Sequence, residues 1–291
     1  MEIAFHIGAN CTDGDRLLKS LLRDVDRLAE AGVAVPGPGR YRSILREAVA
    51  AEMQGRGAPG TREVLMDAIL DGRETRRVVL SNSTFLALPA RLFDGGAFYG
   101  TTAARLEALR RLFPGDRIEL NLALRNPAGL VPAVWAQAKS RDIEGWFAGV
   151  GPERIRWFPV IEAIRRSAPE MGLRVWCNED AALLWPDILL GLAGLGEGAP
   201  LSGRHDLLEA IMSPDGLERF RSYMSLHPGQ TAEQERRVVG AFLDKYAIAA
   251  ETWDEADLPG WTATTFAAVT EAYEADVARI AAMPGVTFLQ P

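Results

Sequence analysis

Glu2-Ile3-Ala4-Phe5-His6-Ile7-Gly8, running into Ala9-Asn10-Cys11-Thr12-Asp13-Gly14-Asp15-Arg16, is the stretch whose reading decides the fold. A short apolar strand enters a glycine-bearing loop, and the loop enters an amphipathic helix. Leu17, Leu18, Leu21, Leu22, Val25 and Leu28 recur at helical spacing, which predicts one helix with one apolar face. In an open α/β sheet, such a turn lies at the carboxyl edge of a strand and aims backbone N–H groups at an anion.

Working outward, Pro36-Gly37-Pro38-Gly39 predicts a rigid turn. Arg40-Tyr41-Arg42 then leads into a helix with Ile44, Leu45, Ala48 and Val49 on one face. Gly55 to Gly60 reads as an exposed loop and Arg62 to Leu70 as a helix. A second strand, Arg77 to Leu80, ends in Ser81-Asn82-Ser83, and a helix spans Thr102 to Leu112. The third strand, Arg117 to Leu124, puts Ile118, Leu120, Leu122 and Leu124 on one face. It ends in Arg125-Asn126-Pro127, which opens a helix carrying Val131, Val134, Trp135 and Ala138.

Gly151-Pro152 starts a helical segment through Ile164, and Leu173 to Cys177 forms a fourth strand ending in Asn178-Glu179-Asp180. From Ala181 the pattern is mainly helical, over 183–195, 205–211, 217–224, 232–249 and 262–283. Val286-Thr287-Phe288-Leu289 adds a last short strand. Strands alternating with helices predict a three-layer α/β fold with a mostly parallel sheet. The expected organisation is a single domain, with a core over about residues 1–180 and a helical elaboration over about 181–291.

A chain of 291 residues with 48% hydrophobic and 24% charged residues is ordinary for a globular protein and long enough to bury a sizeable core. Its net charge of -7 argues against a general nucleic-acid binder. The two cysteines, Cys11 and Cys177, are too few for a disulfide scaffold or a zinc site. No apolar run reaches membrane-spanning length and the N-terminus is not basic, so a cytoplasmic protein without a membrane span is expected.

Several residues have the chemistry for a site. The first loop is not a Walker A motif, because Asp13 stands where the second glycine belongs and no Gly-Lys-Ser/Thr follows. Asp13 or Asp15 either caps the helix or opposes an anion at the loop. Arg16 or Lys19 either supplies compensating charge or lies in solvent. Arg125, at the end of a buried-looking strand, has a fork suited to phosphate or sulfate, with an ordinary ion pair as the alternative. Glu179 reads as a general base or as an exposed residue beside a capping Asp180. Cys11 reads as an inert, partly buried cysteine or as a reactive thiol at a helix N-terminus, and it forms a redox pair with Cys177 at one edge of the sheet if their strands adjoin. His6 reads as structural, and Arg40-Tyr41-Arg42 as a solvated turn or the entrance for an acidic substrate.

The His-Ile-Gly start, the loop after it, Leu17-Leu18-Lys19-Ser20-Leu21-Leu22, Val33-Ala34-Val35-Pro36-Gly37-Pro38-Gly39 and Leu122-Ala123-Leu124-Arg125-Asn126-Pro127 together resemble bacterial sulfotransferases of the P-loop-like fold. The resemblance covers roughly the first half of the chain. It implies transfer of a sulfuryl group from PAPS (phosphoadenosine phosphosulfate) to a small-molecule, glycan or lipid acceptor carrying a hydroxyl or amine. Gly8, Asn10, Cys11, Thr12, Gly14 and Arg16 would then cradle the nucleotide, with Arg125 on its ribose phosphate. Arg16 and Glu179 would serve as catalytic groups, and no metal is implied.

The sequence departs from that family at defined positions. Cys11 replaces the loop lysine, Asp13 a glycine, and Gly14 and Asp15 two threonines; Ala133 stands where a phosphate-binding serine is expected. Two further expectations follow. One is a catalytically inactive binding or scaffolding protein. The other is an enzyme with repurposed chemistry built on Asp13, Asp15, Glu179 and Asp180, with a divalent cation.

Overall fold

The structure, a computed structural model, describes residues 1–248 and 258–291. The chain runs β1 (Glu2–Gly8), α1 (Arg16–Leu22), α2 (Val25–Glu30), β2 (Val33–Ala34), α3 (Arg42–Met53), α4 (Thr61–Leu70), β3 (Arg77–Ser81), α5 (Thr102–Leu112) and β4 (Arg117–Leu124). It continues through α6 (Pro127–Ala138), α7 (Ile143–Phe147), α8 (Trp157–Ser167), β5 (Gly172–Cys177), α9 (Ala181–Ala193), α10 (Leu208–Ile211), α11 (Pro214–Leu226), α12 (Ala232–Tyr246), α13 (Ala263–Ala281) and β6 (Thr287–Phe288). The six strands pair in the order β2-β3-β1-β4-β5-β6, and every pair is parallel. The expected three-layer α/β architecture is present, and the sheet is wholly rather than mostly parallel.

The period-2 alternation of the strands builds the layers. Ile3, Phe5 and Ile7 of β1 share one core with Val78, Leu80, Leu120, Leu122, Leu124 and Val175, under Leu45, Leu106, Leu130 and Ile161 of α3, α5, α6 and α8. Ala4, Val79, Ala123 and Trp176 point the other way, against Leu17, Leu21 and Leu28 of α1 and α2 and Trp185 and Ile188 of α9. A smaller cluster, including Leu208, Met212, Phe220 and Val239, holds α10, α11 and α12 together.

Two buried charges fasten the layers. Arg77 donates to the carbonyls of Gly191 and Leu192 at the end of α9 (3.0 and 2.9 Å) and pairs with Glu2 and Glu119 at 3.0 Å. Its charge also suits the carbonyl end of that helix. Asp276 of α13, fully buried, accepts from Arg156 Nε (3.0 Å) and Phe158 N (3.1 Å), docking α13 on the start of α8.

The structure corrects several expectations. The first helix is two helices, because Asp24 turns inward to accept from the amide and hydroxyl of Ser202 at 2.6 and 2.8 Å. Val33-Ala34 adds an edge strand. The helix expected over 205–211 is only Leu208–Ile211. The helix expected over 232–249 ends at Tyr246, and Ala249 lies outside the described residues.

Candidate functional site

At the carboxyl ends of β1, β4 and β5 the chain encloses a cleft of about 1280 Å³. It opens on the sheet face that carries His6, Ala123 and Trp176. The first loop, the turns after β4 and β5, α9 and α13 supply its walls, and α10 and α12 add Ala210, Ile211 and Leu243. An open parallel sheet binds ligands at this edge because the strand-to-helix turns leave backbone groups and loop side chains facing outward there.

Of the residues the sequence singles out, Thr12, Asp13, Arg16, Arg125 and Glu179 line this cleft. Arg125 closes the two motifs on each other: one of its Nη groups donates to the carbonyl of Cys11. Its own carbonyl accepts from Trp157 Nε1 at 2.8 Å. Burial pulls the guanidinium's pKa down, while Cys11, Glu179 and Tyr99 act in the opposite direction. Arg16 is exposed and reaches the Asp13 carbonyl at 3.4 Å. Thr12 Oγ1 donates to the Ala9 carbonyl at 2.8 Å.

Glu179 is committed to structure on both oxygens. Oε1 accepts from the amide of Asn126 (2.8 Å) and Oε2 from the hydroxyl of Tyr273 (2.9 Å). It ties the ends of β4 and β5 to α13. Asn126 in turn caps α6, accepting from Ala128 N at 3.0 Å, with Pro127 in the first helical position. Asp180 is not among the lining residues, and burial, then Glu179, raises its pKa.

Gly8, Asn10, Cys11 and Gly14 are not among the lining residues. Asn10 is buried and fully used: its Nδ2 donates to the Ala87 carbonyl (3.1 Å), its amide to Tyr99 Oη (3.2 Å), and its Oδ1 accepts from that hydroxyl (2.7 Å). Gly8 sits where a Cβ would lie 2.6 Å from the Ser83 carbonyl oxygen. Burial raises the thiol pKa of Cys11 and pushes that of Cys177 up to about 11. Both cysteines are free, and β4 lies between their strands, so they do not form the adjoining pair.

The two loop aspartates divide. Asp15 has a left-handed backbone, makes no side-chain cap, and forms a two-pronged pair with Arg42 at 2.6 and 3.0 Å. Its pKa is lowered chiefly by that hydrogen bond. Asp13 is the capping residue, its Oδ2 accepting from Leu17 N at 3.2 Å. None of Arg40-Tyr41-Arg42 lines the cleft, and only Arg40 is solvated. Tyr41 is fully buried against Ser81, Arg42 holds Asp15, and Arg40 pairs with Asp71 at 2.8 Å.

His6 is the residue that sequence reasoning missed. It is fully buried, yet it lines the cleft. Its Nδ1 lies 3.0 Å from Ser81 Oγ, and its ring stacks near Trp176, centroids 6.0 Å apart. Burial lowers its pKa against the opposing pull of Asp13 and Asp15, so the ring is neutral near pH 7. Its signal was positional: alternation from Ile3 puts His6 on the Ala4 face, one step from the loop.

Fold and site define a three-layer α/β protein with a ligand-sized cleft at the carboxyl edge of its sheet. Among the described residues, no group of three or more His, Cys, Asp or Glu is arranged to hold a metal ion, and no helix is long and apolar enough to cross a membrane. Comparison with models of known protein families finds no match, and a search among curated proteins finds none either.

Proposed function

We propose that this chain is a small-molecule-binding protein on a sulfotransferase-like scaffold, with its ligand in the cleft at the carboxyl edge. The observation that carries this reading is the charge of the lining. Arg16 and Arg125 face four carboxylates, those of Asp13, Glu179, Glu271 and Glu274, and among the described residues no lysine lines the cleft. Sulfuryl transfer builds negative charge on the bridging oxygen of the donor, which needs a cation placed there. Cys11 at the lysine position cannot supply one, and its carbonyl already engages one Nη of Arg125. Glu179, with both oxygens engaged, is not poised as a base. An acidic, partly apolar cleft suits binding of a neutral or donor-bearing molecule better than binding of a polyanion.

Transfer from PAPS is the second reading. It is favoured by the meeting of Thr12, Arg16 and Arg125, from separate motifs, in one cleft. Calorimetric titration with PAP, the desulfated nucleotide, separates the two. The binding-protein reading expects no heat at millimolar PAP. Binding that weakens tenfold or more in Arg125→Ala, as loss of a charged hydrogen bond implies, would overturn it in favour of transfer.

A further inference from the structure

Two buried polar atoms of cleft-lining residues have no protein partner among the described residues. His6 Nε2 and Asp13 Oδ1 are each inaccessible, and neither has a hydrogen-bond partner among the described residues. His6 is 0% and Asp13 6% exposed, and both side chains line the cleft. Their other polar atoms are fixed, His6 Nδ1 by Ser81 and Asp13 Oδ2 by the amide of Leu17. Neither side chain can turn away to find a partner without giving up a bond it already makes. Buried polar atoms in folded proteins are nearly always satisfied, by protein, water or ligand.

We infer that His6 Nε2 and Asp13 Oδ1 form a subsite for a hydrogen-bond donor, an O–H or N–H, carried by the ligand of the cleft. The inference rests on the reading of the cleft as a small-molecule site, and it names the chemistry recognised there. A carboxylate oxygen only accepts, so the ligand must donate to Asp13. When Ser81 donates to Nδ1, Nε2 is a donor and a hydroxyl satisfies both atoms, accepting from Nε2 and donating to Asp13; when Nδ1 donates to Ser81, Nε2 accepts and an amine, with more than one N–H, satisfies both. Trp176, stacked near His6, and Trp185 back the cleft while themselves buried, and Leu207, Ile211 and Phe266 add apolar side chains to its lining. The matching ligand has an apolar body with a hydroxyl or amine at one end.

The test uses the intact protein labelled with 15N at histidine and tryptophan. The chain has three histidines, so the His6 ring signals are resolvable from those of His205 and His227. Three probes are titrated: 2-phenylethanol, 2-phenylethylamine and the methyl ether of 2-phenylethanol, which accepts but cannot donate. The Trp185 indole, whose Nε1 donates to the Gly203 carbonyl at 3.1 Å, reports occupancy of the cleft; the His6 nitrogens report the subsite.

The alcohol, the amine or both should move the His6 signals, and the ether should bind about tenfold more weakly, the cost of one charge-assisted hydrogen bond. Asp13→Asn keeps an oxygen for the Leu17 amide and turns a donor toward the cleft. It should abolish the ether's disadvantage, so that the ether and the alcohol bind equally. Trp185 responses with a silent His6, or equal affinity for all three probes, would overturn the subsite and leave the binding reading standing. Silence of both reporters with every probe would overturn both. PAP binding with a responsive His6 would overturn only the binding-protein reading.

Discussion

Glu235 offers a quantitative test of how the helical elaboration is held over the cleft. It lies in the first turn of α12, is 7% exposed, and accepts from Arg204 Nη2 and His205 Nε2, both at 2.7 Å. Burial pushes its carboxyl pKa up, but hydrogen bonds from His205 and Arg204 outweigh burial and bring it from 4.5 down to about 2. Because the folded value is the lower one, the stabilisation is fully present above pH 4.5 and is lost as pH falls through 2. A drop of that size corresponds to about 3 kcal/mol at neutral pH. Arg204 and His205 are 27% and 30% exposed, and solvent screening reduces this to about 2 kcal/mol. More than half of that, about 1 kcal/mol, is gone at pH 3.

Glu235→Gln should therefore lower stability at pH 7 by about 2 kcal/mol, with the gap to wild type narrowing by about 1 kcal/mol at pH 3. Urea unfolding of both proteins at both pH values reads this double difference, in which the other carboxylates cancel. A gap that is the same at pH 7 and pH 3 would refute the assignment of a charged, hydrogen-bonded Glu235.

Two other substitutions probe the scaffold. Asp276→Ala leaves Arg156 and the amide of Phe158 without their buried acceptor and should cost about 3–5 kcal/mol, read from the denaturation midpoint. A midpoint within error of wild type would mean that α13 is not docked through this residue. Gly8 has φ of +112°, and a Cβ there would meet backbone of Ser83 at 2.6 Å. Gly8→Ala should lower stability by about 2 kcal/mol or more, with a corresponding fall in Tm; an unchanged Tm would show that the loop can move away from Ser83.

The fold was legible wherever a pattern is local. β4 and α5 occupy the spans their sequence predicts, and a helix does open at Asn126-Pro127. β2 is two residues long, too short for any alternation to show. The break at Asp24 was hidden because its partner, Ser202, is 178 residues away. The parallel sheet and its order brought the candidate residues to one edge, but spacing alone does not say which of them turn inward.

The first loop shows why the site was harder to read than the fold. In the sequence Asp13 and Asp15 are equivalent, two carboxylates that either cap a helix or repel an anion. The structure makes them different by one backbone conformation. Asp15, at φ 65°, is carried to Arg42, which cancels its charge. Asp13 is buried, with one oxygen on the helix and the other without a partner among the described residues. The charge that opposes a nucleotide at this loop is therefore chiefly that of Asp13. The Asp13 side chain cannot be truncated without leaving the amide of Leu17 without its acceptor. A ligand of this cleft has to bond to that oxygen or leave it unsatisfied at a cost of about 1–3 kcal/mol. That cost favours a donor-bearing molecule over a polyanion, whatever chemistry the scaffold resembles.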